Sequence, residues 1–248
     1  MPDIGPSDGE PACDGVGTAR AASTRDDVPV SDYADLRITY SRSSLDEDDA
    51  ASTPLSQFQQ WFEEARAVIE EPNGMVCSTA NAAGEVSSRS VLLKGADARG
   101  FTFFTNYDSR KGRDLAENAN ISLLFPWYDL HRQVIVRGVA ERVSRDETAA
   151  YFAQRPHGHR VGAWASAQSS VLPGGRQELE ANFAAADARF PEGADVPIPD
   201  YWGGFLVRPS TIEFWAGRAN RLHDRLRYVA PTPTAPLDVA WKLERLSP

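Results

Sequence analysis

The chain has 248 residues, of which 42% are hydrophobic and 25% charged, an ordinary globular balance that favours one main folded domain. Its formal net charge of −9 argues against a general binder of nucleic acid or membrane surfaces, because polyanions are held mainly by summed positive charge. No run approaches the ~18 apolar residues that span a bilayer, and the N-terminus lacks the order of a signal peptide, so a cytoplasmic protein is expected. The two cysteines, Cys13 and Cys77, lie far apart and predict neither a disulfide framework nor a zinc site.

The first 53 residues differ in composition from the rest of the chain. They are rich in Asp, Ser, Ala, Gly and Pro and carry few large apolar side chains, so they cannot bury enough surface to offset the entropy of ordering. We therefore expect a mostly disordered N-terminal tail over residues 1–53. A denser island at residues 33–40 could dock on the body of the protein, which is expected at residues 54–248.

Periodicity in the body predicts helices and short strands. Apolar residues recur at helical spacing from Pro54 and end before Pro72. Short β-like runs follow at residues 75–80, 87–94, 101–106, 121–127 and 133–144, a density that indicates a closed or nearly closed antiparallel barrel. Further helices are predicted at residues 109–118, 145–154 and 175–190, and further strands at residues 202–207, 211–215, 226–229 and 240–246.

Two polar segments of the predicted barrel are candidates for phosphate binding. The first runs from Arg89 to Lys94, and the second contains Thr105 and the pair Arg110 and Lys111 where a strand turns into a helix. Helix N-termini offer free N–H groups and a favourable dipole, and Arg and Lys add charge-assisted hydrogen bonds, so together they could hold a phosphate. The alternative is that Arg110 and Lys111 lie on a solvated face.

A third cationic segment lies near the C-terminus. If residues 221–225 form an alternating strand, Arg221, His223 and Arg225 project to the same side. Three potential cations on one face are unfavourable unless an anion or carboxylates share the space. The alternative is a surface strand whose cations pair with Glu213 and Asp224.

This third segment carries a resemblance to a known family. The stretch from Glu213-Phe214-Trp215 through Arg221-Leu222-His223-Asp224-Arg225 resembles the C-terminal signature of the pyridoxine/pyridoxamine 5'-phosphate oxidases. The likeness covers residues 55–248, with a weaker echo at residues 36–40. It implies an α+β, mainly β fold, namely an FMN-binding split β-barrel with peripheral helices. It also implies a homodimer with two FMN molecules at the subunit interface.

The resemblance assigns roles to individual residues. By position, the implied FMN contacts are Arg89, Ser90, Val91, Leu92, Leu93, Lys94, Phe104, Thr105, Arg110, Lys111, Gln133, Gln168, Ser169, Trp215 and Arg225. The implied substrate contacts are Lys94, Tyr151, Arg155, His159, Arg221 and His223, with the first three on the substrate phosphate and the last two as the catalytic pair. Two cations and a phenol suit a phosphate dianion.

Several positions depart from the family pattern. His159 stands where a serine ligand is usual, Phe104 where a tyrosine is common, Ala216 where glutamine is usual and Glu71 where an aspartate is expected. These changes bear on substrate preference and catalytic efficiency more than on the flavin site.

No metal site is expected, because His157 and His159 have no cysteine or carboxylate pair nearby. Four of the tryptophans are expected in the core, namely Trp61, Trp127, Trp164 and Trp202.

The implied reaction is oxidation of pyridoxamine or pyridoxine 5'-phosphate by O2 to pyridoxal 5'-phosphate, with hydride passing from substrate C4' to flavin N5 and H2O2 released. One alternative is a flavin oxidase of the phenazine-biosynthesis type, against which Tyr151 and Arg155 argue. Another is a non-catalytic flavin-binding or storage protein on the same barrel. Arg221 and His223 argue against storage, which needs no groups over a substrate ring.

Overall fold

The structure, a computed structural model, describes Leu36, Tyr40 and residues 44–248. The expectations of a disordered tail and of a docking island at residues 33–40 fall mainly outside this described part. Residues 44–53 are described, and they lie against the sheet. Leu45 is buried and its backbone N–H donates to Asp224 at 3.1 Å, while the Tyr228 hydroxyl donates to the Ala51 carbonyl at 2.6 Å. The domain boundary at residue 53 stays a prediction.

Helices and strands alternate through the described chain. The α-helices are Pro54–Arg66 (α1), Arg110–Glu117 (α2), Arg145–Gln154 (α3), His157–Ala165 (α4) and Gly175–Arg189 (α5). The strands are Gly74–Ala80 (β1), Val86–Leu92 (β2), Gly95–Asp97 (β3), Gly100–Asn106 (β4), Asn120–Trp127 (β5), Arg132–Arg142 (β6), Trp202–Ala216 (β7), Asp224–Val229 (β8) and Lys242–Arg245 (β9). The predicted mainly β, α+β fold with peripheral helices is confirmed.

All strand pairs in the sheet are antiparallel. The order along the main path is β2-β1-β5-β6-β7-β4-β3, and β8 and β9 extend from β7. Along β1 and β5, buried and more exposed residues alternate, as expected for strands with one face on a core. The sheet therefore curls around an apolar interior, which α1 covers with Phe58 and Trp61.

The long strand β7 forks the sheet. β6 pairs with one edge of β7, while the other edge is shared by β4 at residues 202–207 and β8 at residues 211–216. The prediction of two separate strands here is wrong, although Arg208-Pro209-Ser210 resembles a break. The strand continues because the register shifts between Arg137 and Gly138, opposite Pro209, and a bulge tolerates a residue without an N–H.

A second, smaller apolar cluster packs α3, α4 and α5 against the start of β7. Its buried members include Phe152, Val161, Phe190 and Trp202. Helix α3 begins with a capping box in which the Ser144 side chain accepts from Glu147 N–H and the Glu147 carboxylate accepts from Ser144 N–H. Helix α4 is not predicted by the sequence pattern. This cluster forms one wall of the cleft described next.

Candidate functional site

A cleft of about 770 Å³ opens between the sheet and helices α2, α3 and α4. Most of the residues that the sequence assigned to cofactor or substrate line it together: Arg89, Ser90, Val91, Leu92, Lys94, Phe104, Thr105, Lys111, Tyr151, Arg155, His159, Gln168 and Ser169. They come from β2, β4 and the three helices, so residues far apart in sequence meet here only through the fold. We call this cavity, together with the residues that line it, the cleft.

Lys111 is the most buried cation of the cleft, with 5% of its surface exposed. Its Nζ donates to Thr105 Oγ1 at 2.9 Å and to Gln168 Oε1 at 3.3 Å, and no carboxylate lies within salt-bridge distance in the described residues. Burial, and next the charge of Arg89, lower the pKa of Lys111. The solvated-face alternative is wrong for Lys111, whereas Arg110 is exposed and lies 3.9 Å from both Glu85 and Asp114.

Lys111 is held at the first turn of α2. The Ser109 side chain caps this helix by accepting from the Gly112 N–H at 3.3 Å. Gly112 has no space for a side chain, since a Cβ there would lie 2.0 Å from the Tyr107 carbonyl oxygen. The close approach of the 107 loop thus requires glycine and fixes the helix N-terminus beside the cleft.

Arg89 is anchored by polar groups beneath the cleft. One guanidinium nitrogen, Nη1, donates to Thr79 Oγ1 at 2.8 Å and to the Cys77 carbonyl at 3.1 Å. Asp114 is buried, lies 3.9 Å from Arg89, and accepts hydrogen bonds from the hydroxyls of Thr79 and Ser87. Asp114 thus orients the hydroxyls that orient Arg89, a role that sequence reasoning missed.

Tyr151, Arg155 and His159 line the part of the cleft formed by α3 and α4. The Phe104 ring stacks on Tyr151 with centroids 4.0 Å apart and an angle of 18°. Arg155 is half-buried, and its Nη1 is buried without a hydrogen-bond partner. Burial lowers the pKa of Arg155. His159 and Lys94 are more exposed, at the solvent side of the cleft.

A second group of predicted site residues lies elsewhere on the chain. Gln133, Trp215 and Arg225 are adjacent in register across β6, β7 and β8. Together with Arg221 and His223 they form what we call the C-terminal cluster, and none of them lines the cleft. Arg225 donates to Glu213 at 2.7 Å, and this contact raises the pKa of Arg225.

The condition of an alternating strand over residues 221–225 is not met at its start. β8 begins only at Asp224, and Arg221 ends a short 3₁₀ turn, Ala219–Arg221. Asn220 and Arg221 have φ of 57° and 61°. Such left-handed backbone costs about 1–3 kcal/mol in a non-glycine residue and often marks a functional site. Arg221 therefore does not share a strand face with Arg225.

His223 packs in the C-terminal cluster beside Trp215, with ring centroids 4.6 Å apart. Tyr40 lies edge-on to both rings. His223 Nδ1 accepts from the backbone N–H of Arg218 at 3.1 Å, so the neutral ring carries its hydrogen on Nε2. Burial, and next the charge of Arg221, lower the pKa of His223. The ring is therefore a neutral donor through Nε2 around neutral pH.

The assigned residue Leu93 lies in neither group, whereas Trp202 and Asn106 line the cleft without having been assigned to the site. Leu93 is 7% exposed and belongs to the core. Trp202 is buried, as expected of a core residue, but it also lines the cleft beside Phe104 and Tyr151. Its place directly before two glycines in a predicted strand was the only available signal. Asn106 lines the cleft too, next to the assigned Thr105.

The described residues contain neither a metal-binding cluster nor a membrane-spanning helix. Over Leu36, Tyr40 and residues 44–248, no three His, Cys, Asp or Glu side chains cluster in a way that could hold a metal ion. Within the same residues, no helix combines the length and apolar character needed to cross a bilayer. Cys77 is a buried free cysteine, and burial raises the pKa of its thiol.

Comparison with known proteins identifies the family. Residues 62–189 match the family model of pyridoxamine 5'-phosphate oxidase, and residues 202–248 match that of the pyridoxine 5'-phosphate oxidase C-terminal dimerisation region. The chain belongs to the pyridoxine/pyridoxamine 5'-phosphate oxidase family. A pyridoxine/pyridoxamine 5'-phosphate oxidase of Streptomyces avermitilis is 55% identical over 89% of this chain and 98% of that protein. One of Thermobifida fusca is 50% identical over 88% and 99%.

Solved structures confirm the split-barrel fold. PhzG from Burkholderia lata 383, in complex with tetrahydrophenazine-1-carboxylic acid, matches with a TM-score of 0.74 and 32% identity, over 83% of this chain and 98% of that one. A pyridoxamine 5'-phosphate oxidase-related, FMN-binding protein from Nostoc punctiforme has a TM-score of 0.61 at 13% identity, over 83% and 100%, which supports the fold alone. The family model and the relatives above 50% identity show that the chain is an enzyme of a flavin-dependent oxidase family.

Proposed function

We propose that this protein oxidises pyridoxamine 5'-phosphate, pyridoxine 5'-phosphate or both to pyridoxal 5'-phosphate with FMN as its cofactor. The observation that carries the proposal is the pair of cations Lys111 and Arg155 in one cleft, neither with a carboxylate partner in the described chain. A buried cation without a counterion is costly unless an anionic ligand completes it. Two such cations suit two phosphate groups, one on the cofactor and one on the substrate.

The residues around Lys111 fit the FMN phosphate. The buried ammonium has only neutral oxygen partners, the N-terminal turn of α2 adds N–H groups, and Arg89 adds a second cation. Ser169, another assigned flavin contact, lines the same cleft and has a φ of 70°, a strained backbone of the kind found at ligand sites. This donor set can neutralise a phosphate dianion.

The residues around Arg155 fit the substrate phosphate. Lys94, Tyr151 and Arg155 supply two cations and a phenol, and His159 replaces a hydroxyl ligand with an imidazole on the first turns of α4. The Arg155 side chain lines the cleft and makes no hydrogen bond or salt bridge in the described residues, so its charge is not neutralised by a protein carboxylate. Lys94 and His159 are exposed, which leaves a route from solvent into the cleft.

We propose that the C-terminal cluster completes the site across a homodimer. Trp215, Arg221, His223 and Arg225 all lie within residues 202–248, the part that matches a dimerisation-region model, yet they do not line the cleft of their own chain. In a two-fold dimer, the cluster of each copy would meet the cleft of the other, giving two equal sites. This arrangement explains why the family resemblance assigns the cleft and the C-terminal cluster to one site, although they lie apart in a single chain.

Within such a site the protein would position the substrate, and the cofactor would supply the redox chemistry. Bound FMN would supply a two-electron acceptor for the hydride that leaves substrate C4', and O2 would take up these electrons with two protons as H2O2. Pyridoxine 5'-phosphate would give the aldehyde directly, whereas pyridoxamine 5'-phosphate would give an imine that water hydrolyses to the aldehyde and ammonia. Arg221 would hold the substrate ring in place. Neutral His223 would donate a hydrogen bond from Nε2 to the substrate, since its Nδ1 already accepts from the Arg218 N–H. Phe104 and Tyr151 would exclude water from one wall.

Turnover decides between this proposal and its rivals. Purified, FMN-loaded protein is given pyridoxamine 5'-phosphate, pyridoxine 5'-phosphate or a reduced phenazine carboxylic acid, with peroxide and aldehyde as readouts. The proposal expects peroxide and pyridoxal 5'-phosphate from at least one vitamer. Exclusive turnover of the phenazine compound would favour a flavin oxidase of the phenazine-biosynthesis type, a candidate supported by the 32% identity to PhzG. FMN binding without any turnover would indicate a storage protein.

A further inference from the structure

Arg155 is held in the cleft in an unusual way. It follows α3 as the C-cap residue, and its side chain makes no hydrogen bond and no salt bridge within residues 44–248. Its guanidinium carbon instead lies 4.6 Å from the ring centroid of Trp202 and 5.5 Å from that of Phe152. The cation is therefore placed by aromatic faces alone.

This mode of anchoring leaves the charge available. A carboxylate partner would neutralise the guanidinium and occupy its N–H donors, whereas an aromatic face attracts a cation without accepting those hydrogen bonds. Arg155 lines the cleft, and within residues 44–248 its guanidinium has no carboxylate partner that would compete with an anionic ligand. An arginine stacked in this way can still bind a phosphate through the donors that remain accessible.

Trp202 is itself fixed by the fold. It is the first residue of β7, it pairs with Asn106 of β4, and its carbonyl accepts from Arg145 at 2.9 Å. Its ring lies nearly parallel to Phe104, at 14° and 5.6 Å, and to Tyr151, at 6°. The glycine at position 204 permits this stack, because a Cβ there would lie 2.8 Å from the Phe104 ring.

We infer that Trp202 is a positioning residue that sets the guanidinium of Arg155 to receive the phosphate of the substrate. The inference deepens the proposed function and rests on it. Trp202 acts through Arg155, so its loss weakens binding of the phosphorylated ligand and leaves the chemical step intact. The effect should also disappear when Arg155 is already gone.

The test compares Trp202→Leu, Trp202→Phe, Arg155→Met and the double variant Arg155→Met/Trp202→Leu in FMN-loaded protein. Steady-state kinetics with pyridoxamine 5'-phosphate give KM and kcat, and calorimetry gives the Kd of pyridoxal 5'-phosphate. Trp202→Leu should raise KM and Kd about tenfold, equivalent to about 1.4 kcal/mol, with kcat within about twofold. Trp202→Phe should raise them about threefold, because phenylalanine offers a weaker cation–π face. In the Arg155→Met background, Trp202→Leu should add less than about twofold.

A matched control separates positioning from loss of packing. Trp164 belongs to the same apolar region and carries Arg189 at 4.9 Å, but neither residue lines the cleft. Trp164→Leu should lower Tm yet leave KM unchanged. Equal losses from Trp202→Leu with and without Arg155 would overturn the inference, as would a fall in kcat alone. If Trp202→Leu proves insoluble, an unchanged KM in Trp202→Phe would overturn it. Failure of the unmodified protein to turn over either vitamer would instead reject the proposed function, and the Kd series would still test Trp202.

Discussion

Lys111 and Arg155 of the cleft differ from Arg225 of the C-terminal cluster in whether a carboxylate partners the cation. In the cleft, Lys111 and Arg155 are at least half-buried and have no carboxylate partner in the described residues. In the C-terminal cluster, Arg225 pairs with Glu213 at 2.7 Å. A partnered arginine stabilises the fold, whereas an unpartnered buried cation opposes it until an anion binds. The difference indicates that the cleft receives phosphate, while the cluster presents side chains oriented by the protein itself.

Arg221 is the exception within the cluster, and its removal should have the largest effect. It is exposed, its φ is 61°, and no carboxylate holds it in the described chain. If it holds the reacting ring, Arg221→Met should lower kcat about a hundredfold, about 2.7 kcal/mol, while FMN stays bound. Steady-state kinetics and flavin absorbance measure the two quantities.

The control for this variant is Arg227→Met, which removes an arginine of β8 paired with Glu244. That variant should keep kcat within about twofold. An unchanged kcat in Arg221→Met would remove the catalytic role assigned to the C-terminal cluster.

Breaking the Glu213–Arg225 pair should have the next largest effect, on stability. Glu213 is 8% exposed at its side chain, so Glu213→Gln leaves Arg225 without its counterion in a partly buried place. A loss of about 1–2 kcal/mol is expected, or roughly 3–6 °C in the Tm of the apoprotein. The more exposed Glu244, at 25%, provides the matched control, and Glu244→Gln should cost less. Equal losses would show that burial does not set the strength of these pairs.

The smallest effect concerns the protonation of His223. Burial and Arg221 hold its pKa below the ordinary value near 6.5, so the folded protein favours the neutral ring. Its contribution to stability is therefore present above pH ~6.5 and is lost as pH falls through the lowered pKa. With only four histidines in the chain, NMR titration can follow the ring, and His223→Asn assigns its signal. A midpoint at or above 6.5 would contradict the environment described here.

The sequence predicts the local elements of this fold better than their long-range arrangement. Strands β1, β4 and β5 and helices α1 to α3 follow from periodicity and turn residues close to their observed bounds. Helix α4 was missed, because His157-Gly158-His159 lacks an apolar pattern at its start. The sequence predicts two strands in place of β7, with a break around Pro209. No local signal indicates that a bulge in the partner strand β6 accommodates this proline.

The candidate site shows the same limit. Residue types identified the cations, and the family resemblance grouped them, but the positive φ of Arg221 and its exclusion from β8 depend on tertiary packing. Asp114 and Trp202 act on Arg89 and Arg155 through space, from distant parts of the chain. No spacing rule in a single sequence reveals such contacts.

The unpartnered cations of the cleft are expected to bind phosphate. The most direct test measures FMN and riboflavin affinities of the apoprotein by flavin fluorescence, in the unmodified chain and in Lys111→Met. The unmodified protein should bind FMN about a hundredfold more tightly than riboflavin, and Lys111→Met should remove at least about tenfold of that preference. The variant should leave riboflavin affinity unchanged, with apoprotein stability unchanged or raised because a buried charge is gone. Equal affinities of the unmodified protein for FMN and riboflavin would contradict the claim.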